Sequence, residues 1–453
     1  MAKKTAPRIE SFGPKSQEII DISMKYEIFT HWFYTHIRPV VPDSAEGVIV
    51  RDVDGNEYID FFSSFATMSL GHCHPEIVET AIQQAKKLTH VPDGPNRPRA
   101  LLAKKLSEIV PRGLTKSTFS LGGGSAVELG LRLAKTYTGK YGIIAFLGAY
   151  HGRTTLGVQS LTTTNYSRQG CGPFMPGVIH VPYAYCYRCS FGKGYPQCDL
   201  WCARYIESLF KGQLTAATDI ATLIVEPIQG VAGNVVPPDT FLPELGKICK
   251  EHGILFFVDE IQTGFGRFGD AMTASEALGI QPDIICFAKA LGSGFPISAV
   301  ITRDDIAEKW EPVMSSETFM GNPFLCSIAL KSIELLERMN APKKAKSLGA
   351  YMLKAFTDSL KNLQLVGDIR GRGAFAAIEL VKDKKTKEPI DEETWQYTAD
   401  LTLRKGLMLN FGAGNYGNVI NIVPPLIATE EHIDRAVDIL TETLRQTQKK
   451  FLF

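Results

Sequence analysis

From about residue 75 to 300 the chain alternates short, continuously apolar runs with stretches of helical periodicity. "HPEIVETAIQQAKKL" and "RALLAKKLSEIV" repeat apolar residues at the three-to-four spacing of one helix face. "YGIIAFLG", "ATLIVEPIQG", "ILFFVDEIQTG" and "DIICFAKALG" are apolar throughout instead, as strands of a parallel sheet covered on both faces are. Helical stretches such as "PELGKICKEHG" fall between them, as right-handed crossover connections require. Upstream, "GVIVRDVDGNEYIDFFSS" (47–64) predicts a hairpin with Asp-Gly at its turn. After "GNPFLCSIALKSIELLERM" the pattern changes. "LVGDIRGRGAFAAIELVKD", "GLMLNFG" and "NVINIVPPL", with helices between them, predict a smaller α+β unit. The expected architecture is therefore α/β: a large sheet domain at 65–325 and a C-terminal small domain at 326–453. The N-terminal segment 1–64 should contribute to the small domain.

Composition changes this picture little. The 453 residues are 44% hydrophobic and 21% charged, ordinary for a globular protein with a large core. Forty-nine basic residues face 48 acidic ones, so no global field recommends nucleic acid or an anionic membrane as partner. The opening "MAKKTAPRIESFGPKSQE" has no apolar core of a secretory signal, and no run is long enough to span a bilayer. A cytoplasmic protein is expected. Of the nine cysteines, Cys73, Cys171, Cys249, Cys286 and Cys326 are scattered and read as small buried hydrophobes. The other four lie together in "CYRCSFGKGYPQCDLWC".

Candidate chemistry gathers at strand ends, where open α/β sheets bind ligands. Glu226 ends one strand run, Asp259 and Gln262 follow another, and Lys289 closes a third. A buried lysine loses its proton more readily and can attack an aldehyde. A carboxylate can hold a pyridinium nitrogen protonated, which makes the ring an electron sink. "FSLGGGSAVELGLRLAKTYTG" adds Gly122, Gly123, Gly124 and Ser125 before a helical pattern, a candidate phosphate cradle of backbone N–H groups. "GAYHGRTT" adds Tyr150, an aromatic able to cover a ring face, and Arg153, an anion clamp.

Together "GGGSAVE", "AYHGRT", "VEPIQG", "FVDEIQTGFGR", "FAKALGSGFPISAV", "ETFMGNP" and "PPL" resemble the class III aminotransferases, over about residues 30 to 445. That resemblance implies a fold-type-I enzyme with a mostly parallel seven-stranded sheet, dependent on pyridoxal 5′-phosphate (PLP). It implies Lys289 as Schiff-base lysine and proton shuttle, Asp259 at the pyridine nitrogen and Gln262 near the ring hydroxyl. Tyr150 would stack on the ring, and Gly123 and Gly124 would hold phosphate. Thr318 would reach the phosphate of the second subunit, implying an obligate homodimer with composite sites, or a tetramer built from it. Glu226 corresponds to the acid that gates a substrate arginine.

Two departures bear on function. Arg153 matches the arginine that holds a carboxylate remote from the reacting amine; the alternative reading makes "HGR" part of the scaffold. Relatives that use glutamate carry arginine three residues before "PPL"; here Asn421 stands there, and 411–426 contains no arginine. An amide cannot replace bidentate guanidinium recognition of a carboxylate. The expected reaction is therefore transfer from an ω-amino acid or amine (4-aminobutyrate, β-alanine or taurine-like) to a keto acid, pyruvate above others. Racemases, epimerases and amino-phospho or aminophosphonate lyases on the same scaffold are the alternative. Ser125 also replaces a common acid, while Glu128 remains. The four clustered cysteines, spaced C-x2-C-x8-C-x3-C, suit zinc or an iron–sulfur cluster, or else stay reduced or form disulfides. Some animal relatives carry an iron–sulfur cluster on a nearby C-x2-C pair.

Overall fold

A computed structural model describes residues 13–28, 39–211, 217–311, 314 and 316–451. Residues 1–12, the basic start of the expected N-terminal segment, lie outside the described residues. The apolar runs form one seven-stranded sheet in the order Lys116–Ser120, Ser298–Thr302, Ile284–Phe287, Leu255–Asp259, Ile220–Val225, Gly142–Phe146, Val178–Val181. Neighbours pair in parallel except at Ser298–Thr302, which runs antiparallel to both its neighbours. The central strands are buried at every position, which explains the missing polar alternation in their sequences.

Helices cover the sheet where periodicity predicted them. Pro75–Lys87 starts with a proline after His74, whose side chain accepts the Glu76 N–H, and it buries Ile77 and Ala81. Arg97–Ile109 is capped by Asn96. Phe241–His252 ends at Gly253, whose φ of 61° suits a residue without Cβ. Gly123–Thr138 crosses the sheet closely at Gly130, where a Cβ would stand 2.4 Å from the Phe257 ring.

The hairpin pairs Ile49 with Ile59 and Arg51 with Glu57. A further strand, Pro42–Glu46, precedes it; its exposed, polar sequence gave no apolar signal. Leu407–Met408 completes this four-stranded sheet, so chain from the C-terminal part returns to the N-terminal hairpin. "GLMLNFG" is accordingly not one strand. The chain passes from this sheet at Met408 to another at Asn410, which pairs with Asn421. That second sheet contains Val366–Arg372, Phe375–Asp383, Val419–Ile422 and Asn410–Ala413. The helix Pro323–Arg338 runs unbroken across residue 325. One apolar core joins Phe257 and Phe287 of the large sheet to Ile378 and Ile420 of the small one.

The isolated cysteines divide. Cys249, Cys286 and Cys326 are buried as expected, but Cys73 and Cys171 are exposed. Both lie outside any strand or helix, in loops at the surface. No helix among the described residues is long and apolar enough to cross a membrane.

Candidate active site

Asp259 ends its strand with a buried carboxylate, and its two oxygens have separate partners. Oδ1 accepts the Ile261 N–H at 3.0 Å, and Oδ2 lies 2.7 Å from His151 Nδ1. Cys286, on the neighbouring strand, turns its thiol to Oδ1 at 3.6 Å, and burial holds that thiol far above its usual range. Burial opposes charge on His151, but the Asp259 carboxylate outweighs it and raises the imidazole pKa. The His151 Nε2 is buried without a hydrogen-bond partner among the described residues.

Lys289 follows the next strand and opens a one-turn helix, Lys289–Leu291, at a φ of 39°. A lysine in the left-handed region is strained, and such strain persists where surrounding structure fixes it. Enclosure lowers the amine from 10.5 to about 8, against the opposing pull of Glu226 and Asp259. The residue as a whole keeps some accessible surface. Glu226 is 7% exposed; its oxygens accept the Tyr150 N–H at 2.9 Å and the Gly230 N–H at 3.2 Å. Burial pushes its carboxyl up to about 7, with His151 pulling the other way.

The glycines permit this convergence. Gly123 begins its helix beside Ile261, whose Cδ1 would be 2.9 Å from an added Cβ. At Gly124 a Cβ would meet Thr154 Oγ1 at 2.5 Å, so the "GGG" turn lies against the "HGRT" turn. Ser125 follows them in the first turn, and Glu128 is engaged, accepting the Thr155 hydroxyl at 2.6 Å. At Gly230 a Cβ would stand 1.9 Å from Gln262 Oε1, so only glycine admits that side chain.

Asp259, Gln262, Glu226, Tyr150, Gly123, Gly124 and Lys289 thus share one region at the carboxyl ends of the strands. Arg153, in the turn that borders Gly124, and Thr318 are both exposed, and neither side chain makes a hydrogen bond or ion pair among the described residues. Asn421 does join the group. Its Nδ2 donates to Gly230 O at 2.7 Å, while its buried Oδ1 has no partner among the described residues. Cys186, Cys189, Cys198 and Cys202 line a different, small cavity. Among the described residues no three His, Cys, Asp or Glu side chains are gathered closely enough to hold a metal.

Three participants carried no assigned role from sequence. His151 was visible directly after Tyr150, but nothing local marked it as the partner of an acid 108 residues away. Cys286 looked like a core residue, and it is one as well. Arg267 is wholly buried and donates to the carbonyls of Ala374 and Pro424 and to Ser69 Oγ, fastening the sheet domain to the "PPL" loop.

A family profile described as "Aminotransferase class-III" matches residues 33–444. The leucine/methionine racemase of Thermococcus litoralis is 36% identical over 417 residues, covering 91% of this chain and 92% of the racemase. The 4-aminobutyrate aminotransferase of Mycobacterium leprae is 35% identical over 415 residues, covering 90% and 91%. The crystal structure of an amine transaminase from an uncultivated Pseudomonas species, in its PLP-bound form, matches with a TM-score of 0.85 at 29% identity, covering 90% of this chain and 95% of that one. The chain belongs to the class III aminotransferases, and PLP is the cofactor of this fold-type-I family. The residues present fit that group: an enclosed amine of lowered pKa, a fixed buried carboxylate and a glycine-led helix start lie at adjoining strand ends.

Proposed function

We propose that this class III family member transfers an amino group from an ω-amino acid or amine to a keto acid, with pyruvate as acceptor. The observation that carries the reading is Asn421. Where relatives using glutamate have arginine, this short amide is tied to Gly230 O, and no arginine lies from 411 to 426. An α-carboxylate would find no bidentate donor there. The 4-aminobutyrate aminotransferase and the amine transaminase among its relatives support the choice of donor.

Bound at these strand ends, PLP supplies an electron sink for the carbanion formed beside the amino nitrogen. Lys289 anchors the cofactor and carries the moving proton; an amine near 8 is partly free at neutral pH, which suits both tasks. Asp259, held from two sides, would keep the ring nitrogen protonated. Gln262 would hold the ring hydroxyl and Tyr150 would pack on the ring. The backbone of Gly123 and Gly124 would hold the phosphate at the helix start. Arg153 clamps the distal acid of the donor, and Glu226 stands by the substrate as a carboxyl that is part neutral near pH 7.

We propose a cytoplasmic homodimer in which Thr318 completes the partner's phosphate site; the exposure of Thr318 in the isolated chain supports that role across an interface. The domain limits we propose remain 1–64, 65–325 and 326–453, with the pairing of Leu407–Met408 to the N-terminal hairpin supporting the assignment of 1–64 to the small domain.

A second reading, racemisation or epimerisation of a neutral amino acid, is favoured by the likeness to the leucine/methionine racemase. One experiment separates the two. Amines and amino acids are added without keto acid while the cofactor's visible band is followed. A transaminase loses the band stoichiometrically and regains it with pyruvate. A racemase keeps it and exchanges the α-hydrogen with solvent. A band unmoved by every ω-amine, with α-hydrogen exchange on leucine or methionine, would replace our leading assignment by the second.

A further inference from the structure

The cysteine-rich segment has no part in the reaction described above. Cys186 opens the one-turn helix Cys186–Arg188 and Cys189 follows it, while Cys198 precedes the helix Trp201–Lys211 and Cys202 lies in its first turn. All four line the same cavity of about 20 Å³ and none forms a disulfide. A space of that size holds about one water-sized particle. Each pair sits at a tight turn. Gly192 donates to the Cys189 carbonyl at 3.0 Å with a φ of 64°. Between Cys198 and Cys202, Asp199 and Leu200 both adopt a φ of 50°, left-handed backbone that side-chain-bearing residues enter at a cost.

We propose that Cys186, Cys189, Cys198 and Cys202 form a tetrathiolate site for one soft, tetrahedral divalent cation of the zinc class. Four sulfur ligands from two short turns are the donor set of closed structural zinc sites. The thiols of the free chain stand too far apart to ligate as they are. Binding therefore draws the two turns together: four S–H bonds give up their protons to solvent, four metal–sulfur bonds form, and the site carries two negative charges. A cation adjoins it, with Lys193 in the cavity wall.

The location gives such a site leverage. Tyr183 also lines the cavity and donates its hydroxyl to the Glu226 carbonyl at 2.9 Å. Arg188 pairs with Glu379, which Arg370 also grips at 2.8 Å while donating to the Gly233 carbonyl. Gly233 belongs to the turn whose Gly230 meets Glu226, Gln262 and Asn421. Metal binding fixes the outer end of this support without touching Lys289.

The test uses the full chain loaded with PLP. Zinc content after dialysis and the visible spectrum after Co²⁺ addition are measured for the natural sequence and for Cys189→Ser, Cys198→Ser and Cys171→Ser. We expect about one metal per chain and the ligand-field and charge-transfer bands of tetrahedral cobalt thiolate. Either ligand variant should lose more than the roughly 10- to 100-fold in affinity that removing a mere outer-sphere partner costs, while Cys171→Ser retains the metal. The cobalt spectrum of the natural sequence decides the matter even where a variant folds poorly. Absence of those bands, disulfides among the four cysteines, or iron with acid-labile sulfide would each overturn the proposal. Retention of the PLP band throughout separates failure of this site from failure of the cofactor assignment.

Discussion

His151 Nδ1 and Asp259 Oδ2 lie 2.7 Å apart, and both side chains are buried. A buried carboxylate is stable only when it is paired and hydrogen-bonded, and here the imidazole performs that task. His151→Phe keeps a ring in place but removes the donor. The loss of a hydrogen bond to a charged group, about 1.5–3 kcal/mol, should weaken cofactor retention roughly 10- to 100-fold. Residual PLP absorbance after dialysis measures it. Unchanged retention would mean that the Ile261 N–H and the Cys286 thiol, both on Oδ1, suffice to orient the acid.

Lys289→Ala should lower turnover by several orders of magnitude, because anchor and proton carrier disappear together. The variant should still bind PLP through Asp259 and the helix start, so its fold and its rate are separable. Borohydride reduction and peptide mapping should mark residue 289 in the natural protein. An unmarked peptide from fully loaded protein would remove the basis of the assignment.

Asn421→Arg would return a guanidinium to the place where this chain has an amide. Glutamate should barely change the cofactor band of the natural enzyme and should do so at least about tenfold faster in the variant. The larger side chain enters a buried position and displaces the bond to Gly230 O, so thermal stability is measured in parallel. A natural enzyme that already reacts readily with glutamate would refute the significance given to Asn421.

Arg153→Ala should raise KM for acidic amine donors and leave neutral amines nearly untouched. Equal effects on both classes, measured as kcat/KM, would assign Arg153 to the scaffold.

How far the sequence revealed this arrangement depended on the range of the signal. Buried strands and amphipathic helices announce themselves locally, so Leu255–Asp259, Ile284–Phe287 and Gly123–Thr138 were legible with their chemistry at the ends. Pro42–Glu46 was not, because it is an exposed strand whose order comes from its neighbour rather than from apolar residues. The split at Leu409 was invisible because both halves are apolar and only tertiary pairing separates them. His151 was seen but not understood, since its role depends on contact with another strand. Asn421 was the opposite case: absence of a guanidinium is a property of composition, readable without coordinates.

Glu226 makes folding itself a reporter of the site. Its carboxyl is raised from 4.5 to about 7, chiefly by burial. Between those values the folded, cofactor-free chain keeps a proton that the unfolded chain has released. This contribution therefore favours the folded state most at low pH and is lost as pH rises from 4.5 through 7, by an amount on the order of 3 kcal/mol. Glu226→Gln abolishes the titration. It also sets an amide N–H₂ against either the Tyr150 or the Gly230 N–H, a penalty that does not vary with pH. The difference in stability between variant and natural protein should thus shift steadily in the variant's favour from pH 4.5 to 7 and then level off. Chemical denaturation across that range checks it, and parallel pH profiles for the two proteins would show that Glu226 is ionised throughout.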